Sequence, residues 1–148
     1  MKKAFVVVNE QHNLFPEQET ILRERFDEIE MVKVPASGWT LEEMKKVAAE
    51  LHYRASEAEV RRHPETGKVV STLYSWKTEN AVVFASPVPF LMKELAQKAI
   101  AYDWYGDYEG DLRHRYDVLV FHNDRREKKE LPDGRIIQTV AATGWKLV

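Results

Sequence analysis

The sequence predicts an α/β domain: an open, mostly parallel sheet with helices on both faces and an antiparallel β-hairpin towards its C-terminal side. Three observations carry this. Residues Ala4–Val8 and Ala81–Ala85 are short, unbroken apolar runs, the pattern of strands buried on both faces. Each run is followed, across a polar or proline-bearing loop, by apolar residues at helical spacing. Pro132-Asp133-Gly134 then separates two β-prone segments, Glu127–Leu131 and Arg135–Val140, and forms a turn in which proline presets φ and glycine accepts positive φ.

In chain order, Ala4–Val8 reads as the central strand. The polar loop Asn9-Glu10-Gln11-His12-Asn13 follows, and Pro16 opens a helix carrying Ile21, Leu22 and Phe26. Glu30–Val34 reads as a second strand, stopped by Pro35 and the Ser37-Gly38 turn. Thr40 and Glu43 match a capping box, and Leu41, Met44, Val47, Ala48 and Leu51 trace one apolar stripe behind it. Helix-favouring Ala55, Ala58 and Glu59 extend this second helix towards His63, before Pro64 and Gly67 end it. Lys68–Trp76 alternates β-branched and polar residues, as an exposed strand or hairpin arm does.

After Ala81–Ala85, Ser86-Pro87-Val88-Pro89 leads into a third helix with Leu91, Met92, Leu95, Ala96 and Ala99–Ala101. Tyr102–Arg115 mixes aromatics, acids and glycines and reads as a surface loop, whereas Tyr116–Phe121 supplies another apolar strand. Alternating strands and helices of this kind build a Rossmann-like sheet with right-handed crossovers. The terminal hairpin is expected at a sheet edge or against a partner. Without a composition break or internal repeat, residues 1–148 form a single domain of ordinary size.

Composition excludes several classes. There is no cysteine, hence no disulfide framework, thiolate metal site or cysteine nucleophile. No apolar run approaches a membrane span, and Met1-Lys2-Lys3 leads straight into a strand, so a cytoplasmic location with no membrane partner is expected. A formal net charge of −2 disfavours a long DNA partner, although Arg61-Arg62-His63 and Arg125–Lys129 are local basic clusters. Neither GxGxxG nor GxxxxGK[ST] follows a strand, so neither a dinucleotide cofactor nor a P-loop is expected. The five histidines, at 12, 52, 63, 114 and 122, show no metal-ligand spacing, and no metal is expected.

In an open α/β sheet, ligands bind beyond the carboxyl ends of the strands. If the first and third major strands are neighbours, Asn9, Gln11, His12, Asn13 and Ser86 line one cleft. Backbone amides of the helix beginning near Pro89 are then available to an anion. Within that set, His12 is the candidate proton carrier, since imidazoles titrate near neutral pH. His122, Arg125 and Arg126 follow a later strand and are candidate ligand-binding residues: Arg125 or Arg126 for phosphate, because guanidinium groups make bidentate contacts, beside His122 as a potential proton carrier. His114 and Arg113 are weaker candidates of the same kind. Each set has a plainer reading: polar loop residues serve as caps and solvated turns, and the arginines pair with Glu127 or face water. Trp39, Trp76, Trp104 and Trp145 are scattered and read first as core or interface anchors, second as stacking platforms for bases.

Two stretches carry a family resemblance. Ala4-Phe5-Val6-Val7-Val8-Asn9 with His12 and Pro16-Glu17-Gln18, and Arg125-Arg126-Glu127 through Leu131-Pro132-Asp133-Gly134, resemble the small Rossmann-like accessory proteins of type III CRISPR systems. That family includes ring nucleases and binders of cyclic oligoadenylate. Lys68–Trp76 and Tyr102–Arg115 depart from its most compact members. The resemblance implies a homodimer that binds a cyclic oligonucleotide in a cleft over the strand ends, with metal-independent cleavage as an additional activity. It transfers no catalytic residue. The alternatives are a protein-interaction module built on the hairpin, or a phosphohydrolase or nuclease acting on linear nucleic acid.

Overall fold

The computed structural model describes residues 2–74, 77–102 and 112–148. Its central sheet is built from β1 (Lys3–Asn9), β2 (Glu28–Val34), β5 (Ala81–Phe84), β8 (Asp117–Asn123) and β11 (Trp145–Leu147), in the order β11-β8-β5-β1-β2. The pairs β1–β2, β1–β5 and β5–β8 are parallel, and β11 runs antiparallel along β8. The chain is therefore a mixed α/β domain with a mostly parallel five-stranded sheet. The apolar runs take the central places: Ala4–Val8 and every residue of β5 are buried.

Alternation along these strands divides the core in two. Phe5, Val7, Val82 and Phe84 pack with Ala48, Leu51 and Ala55 of α2 (Leu41–Ala55) and with Leu91 and Leu95 of α3 (Pro89–Lys98). Ala4, Val6, Ala81 and Val83 face the other way, onto Leu22 of α1 (Pro16–Arg25) and Phe26 beyond its end. Helices thus cover both faces, and burying each Leu, Val or Phe contributes about 1.5–3 kcal/mol. The capping box closes as the spacing predicts, with Thr40 Oγ1 accepting from Glu43 N at 3.1 Å and Glu43 Oε2 accepting from Thr40 N at 3.2 Å.

Three expectations are corrected. The second helix stops at Ala55 and does not continue towards His63. Ser56 Oγ turns back to the His52 carbonyl, Glu57 takes φ of 53°, and Thr78 Oγ1 (2.9 Å) and Asn80 Nδ2 (3.0 Å) donate to the Ala55 carbonyl. Residues beyond it form β3 (Glu59–Arg62), paired antiparallel with β4 (Val69–Leu73), the exposed arm that alternation in Lys68–Trp76 foretells; Trp76 lies outside the described residues. Second, the third helix ends at Lys98, and Ile100 and Ala101 belong to β6 (Ile100–Tyr102), which pairs with β7 (Leu112–His114) in what the sequence reads as a loop. Residues 103–111 of that stretch, Trp104 among them, lie outside the described residues.

The third correction concerns the C-terminal hairpin. The strands β9 (Arg126–Glu130) and β10 (Ile136–Val140) turn through Pro132-Asp133-Gly134, with Gly134 at φ of 84° and Arg135 N donating to Asp133 Oδ1 at 3.1 Å. Among the described residues they form a two-stranded ribbon of their own. The strand that joins the sheet edge is β11, after the ribbon. Asn123 makes this change of course possible: its Nδ2 donates to the Ala141 and Thr143 carbonyls, while its Oδ1 accepts from Arg125 N at 2.7 Å. No helix among the described residues is long and apolar enough to cross a membrane.

Candidate functional site

Beyond the carboxyl ends of β1 and β5 lies a cleft of about 680 Å³, within the range of small-molecule sites. Asn9, Gln11, His12, Asn13 and Ser86 all line it, joined by Leu14, Phe15, Gln18, Pro87, Val140 and Trp145. Parallel pairing of β1 with β5, in the register Val7↔Phe84, brings the two loops together.

The loops hold each other before they hold anything else. Ser86 Oγ accepts from Asn9 N at 2.9 Å, and the amides of Ala85 and Ser86 donate to the Val7 carbonyl. Asn9 Oδ1 accepts from Gln11 N at 2.9 Å while its carbonyl accepts from His12 N, a turn of the kind asparagine favours. Asn9 and Ser86 therefore shape the rim, and Gln11, His12 and Asn13 are carried on it with exposed side chains. His12 is the one titratable side chain among the described residues lining this cleft. The lining reaches Pro87 but does not include the first-turn residues of α3, so the helix amides expected near Pro89 stand outside it.

A smaller cleft of about 300 Å³ adjoins the first over the end of β8. His122, Asn123 and Arg126 line it, and it shares Ala85, Ser86, Pro87, Val140 and Trp145 with its neighbour. Arg126 Nη1 donates to the carbonyls of Asn123 (2.8 Å) and Arg125 (2.9 Å). His122 Nε2 lies 2.8 Å from Asp124 Oδ1, whose other oxygen meets Lys146 Nζ at 2.7 Å. Lys146, then His122, hold the Asp124 carboxyl below its ordinary pKa. Arg125 lines neither cleft: its stem lies against Gly144 and its Nη1 donates to Thr143 Oγ1 at 3.1 Å. His114 lines a separate hollow with Ala96 and Asp117, and Arg113 stands beside it on β7.

Trp145 is the residue that sequence spacing understates. It stacks on Phe15 with ring centroids 5.7 Å apart, meets Phe121 edge-on, and its backbone N–H donates to Glu17 Oε1 at 2.7 Å. Its indole nitrogen is buried and has no hydrogen-bond partner among the described residues. A wall drawn from the far end of the chain leaves no local signal beside Asn9–Asn13. Gln18 has one: buried at the third helical position, its Oε1 accepts from Phe15 N at 2.9 Å, the reciprocal half of a capping motif. Among the described residues no three of His, Asp and Glu gather in a metal-binding group.

Comparison with protein-family models, curated proteins and solved structures finds no match for this chain.

Proposed function

We propose that this domain is Rossmann-like and that its larger cleft binds a cyclic oligoadenylate. The observation that carries this reading is the convergence of the Asn9–Asn13 loop and Ser86 on one cleft across the β1–β5 pair. That cleft lies where the connections diverge: α1 leads from β1 to β2 on one side, whereas α2 leads back across to β5 on the other. Such switch points are the usual ligand sites of open α/β sheets. The identity of the ligand rests on the sequence resemblance, and a symmetric ring is matched by two copies of the chain facing each other across it.

Cleavage of such a ring needs no metal. The 2′-oxygen of a ribose attacks the adjacent phosphorus, the bond from phosphorus to the 5′-oxygen breaks, and a 2′,3′-cyclic phosphate forms. The 2′-hydroxyl proton leaves to a base, and the departing 5′-oxygen takes up a proton. Holding the ribose in line contributes several kcal/mol of the barrier reduction, by roughly the effective molarities of intramolecular reactions. In this reading His12, on the rim of the larger cleft, takes the 2′-hydroxyl proton. Incubation with cyclic tetra- and hexa-adenylate, followed by calorimetry and chromatography, tests both steps. Binding with product formation that is lost in His12→Ala supports the enzyme; binding without products supports a sensor; no binding to either ring removes the proposal.

A second reading has one observation in its favour. The β9–β10 ribbon exposes Ile136, Ile137 and Val140 and has no third strand among the described residues. This is a surface suited to strand addition by another chain. Retention of every partner by a chain with Ile136 and Ile137 changed to Thr would remove it.

A further inference from the structure

We infer that the two adjoining clefts divide one nucleotide between them, the base lying in the larger and its phosphate in the smaller, against Arg126. This deepens the proposed function and rests on it for the class of ligand.

The argument is one of charge. Among the described residues no lysine or arginine lines the larger cleft. Its walls are largely apolar, through Leu14, Phe15, Pro87 and Trp145, and the exposed polar side chains among them are His12 and the carboxamides Gln11 and Asn13. A phosphate pressed against such walls loses its hydration with no guanidinium or ammonium group in return, which is costly. A purine suffers no such penalty. Its faces are apolar, and a carboxamide offers a donor and an acceptor together, the pattern that pairs with the N6 and N7 edge of adenine.

The smaller cleft has the opposite character. Arg126 is the sole lysine or arginine lining either cleft among the described residues. Its two hydrogen bonds to carbonyls both come from Nη1, which fixes the guanidinium while leaving Nε and Nη2 without a partner among the described residues. A guanidinium held by one corner and open along another edge suits a phosphate oxygen pair. His122 adds two ring nitrogens to the same cleft, one engaged by Asp124. The clefts share the wall from Ala85 to Pro87 together with Val140 and Trp145, so a single molecule reaches both.

The test uses the whole chain and four probes: adenosine, AMP, ribose 5-phosphate and cyclic tetra-adenylate. Binding is followed by calorimetry for the wild type, for Arg126→Gln and for the exposed pair Gln11→Ala/Asn13→Ala, with melting curves to show that each variant folds. The division predicts that Arg126→Gln weakens AMP and the ring at least tenfold while leaving adenosine within twofold. Gln11→Ala/Asn13→Ala weakens adenosine and AMP by the same factor. Arg126→Gln acting equally on adenosine and AMP, or on neither, overturns it. So does ribose 5-phosphate binding as well as AMP, or cyclic tetra-adenylate binding where adenosine and AMP both fail. If adenosine and AMP divide as stated and the ring does not bind, the division stands and the cyclic ligand falls.

Discussion

The hydroxyl oxygen of Ser86 accepts a hydrogen bond from the backbone N–H of Asn9 at 2.9 Å, tying the loop after β5 to the end of β1. Ser86 is buried and Asn9 half-buried, so replacing Ser86 by alanine leaves that N–H without its acceptor. Leaving a buried donor unsatisfied costs about 1–3 kcal/mol. We predict a loss in that range for Ser86→Ala in urea unfolding, together with weaker ligand binding because the loop bearing His12 loses its anchor. Unchanged stability would show that the loop is held by its own turn alone.

A second prediction concerns acid. His52 is buried on α2, with Nδ1 2.9 Å from Tyr116 Oη and Nε2 3.1 Å from Tyr74 Oη. Burial, reinforced by Lys98 and Arg115, pushes its pKa down to about 4. The unfolded chain binds this proton from about pH 6.5 downwards and the folded one only from about pH 4. Stability is therefore lost as pH falls from about 6.5 through about 4, by roughly 3 kcal/mol in all. Glu30 and Asp124, whose pKa values are lowered, add to the loss at the acid end. The contribution of His52 is isolated by comparing the pH profile with that of His52→Gln, which keeps a donor and an acceptor but cannot charge. Parallel profiles would refute the assignment.

Gly144 has φ of 89°, and a Cβ there would lie 2.8 Å from both Cγ and Cδ of Arg125. Gly144→Ala thus meets two penalties, left-handed backbone and a collision, of which the first costs roughly 1–2 kcal/mol. Adding Arg125→Ala removes only the collision. The double variant should therefore recover part of the melting temperature lost by the single one. Full recovery would mean that the backbone there relaxes to negative φ.

Asn80 fastens the amino end of the sheet. Its Oδ1 accepts from Lys3 N at 3.0 Å and its Nδ2 donates to the Ala55 carbonyl at 3.0 Å, joining β1 to the end of α2. Asn80→Ala leaves the Lys3 amide without its acceptor and removes one of two donors from Ala55. A destabilisation of about 2 kcal/mol is expected, with affinity at the distant cleft unchanged once the protein is folded. Loss of binding in a fully folded variant would contradict that separation.

The legible parts of this fold are those whose causes are local. Three consecutive valines fill a strand buried on both sides, Thr40 and Glu43 close a capping box, and Pro132-Asp133-Gly134 makes its turn. The stop of α2 was hidden because Ala55 and Ser56 are good enough helix residues. What halts the helix is a pair of donors, Thr78 and Asn80, supplied from more than twenty residues later. The ribbon was legible as a hairpin but not as a separate one, since its independence depends on Asn123 bonding Ala141 and Thr143. For the candidate site, Asn9–Asn13 and Ser86 follow from the rule that ligands gather at strand ends. Trp145 follows from no local rule, because its place is set by Glu17 and Phe15 at the other end of the chain.

That last contact has a kinetic side. The hydrogen bond from Trp145 to Glu17 spans 128 residues, and such distant closures carry the largest entropic cost and slow folding most. The four parallel strands and their helices form a core without β11, whereas the wall shared by the two clefts requires it. A refolding chain should regain its helical signal before the environment of Trp145 becomes native. Competence for binding would then mark the end of folding, and fluorescence of that single indole, isolated by replacing the other tryptophans, would serve as its clock.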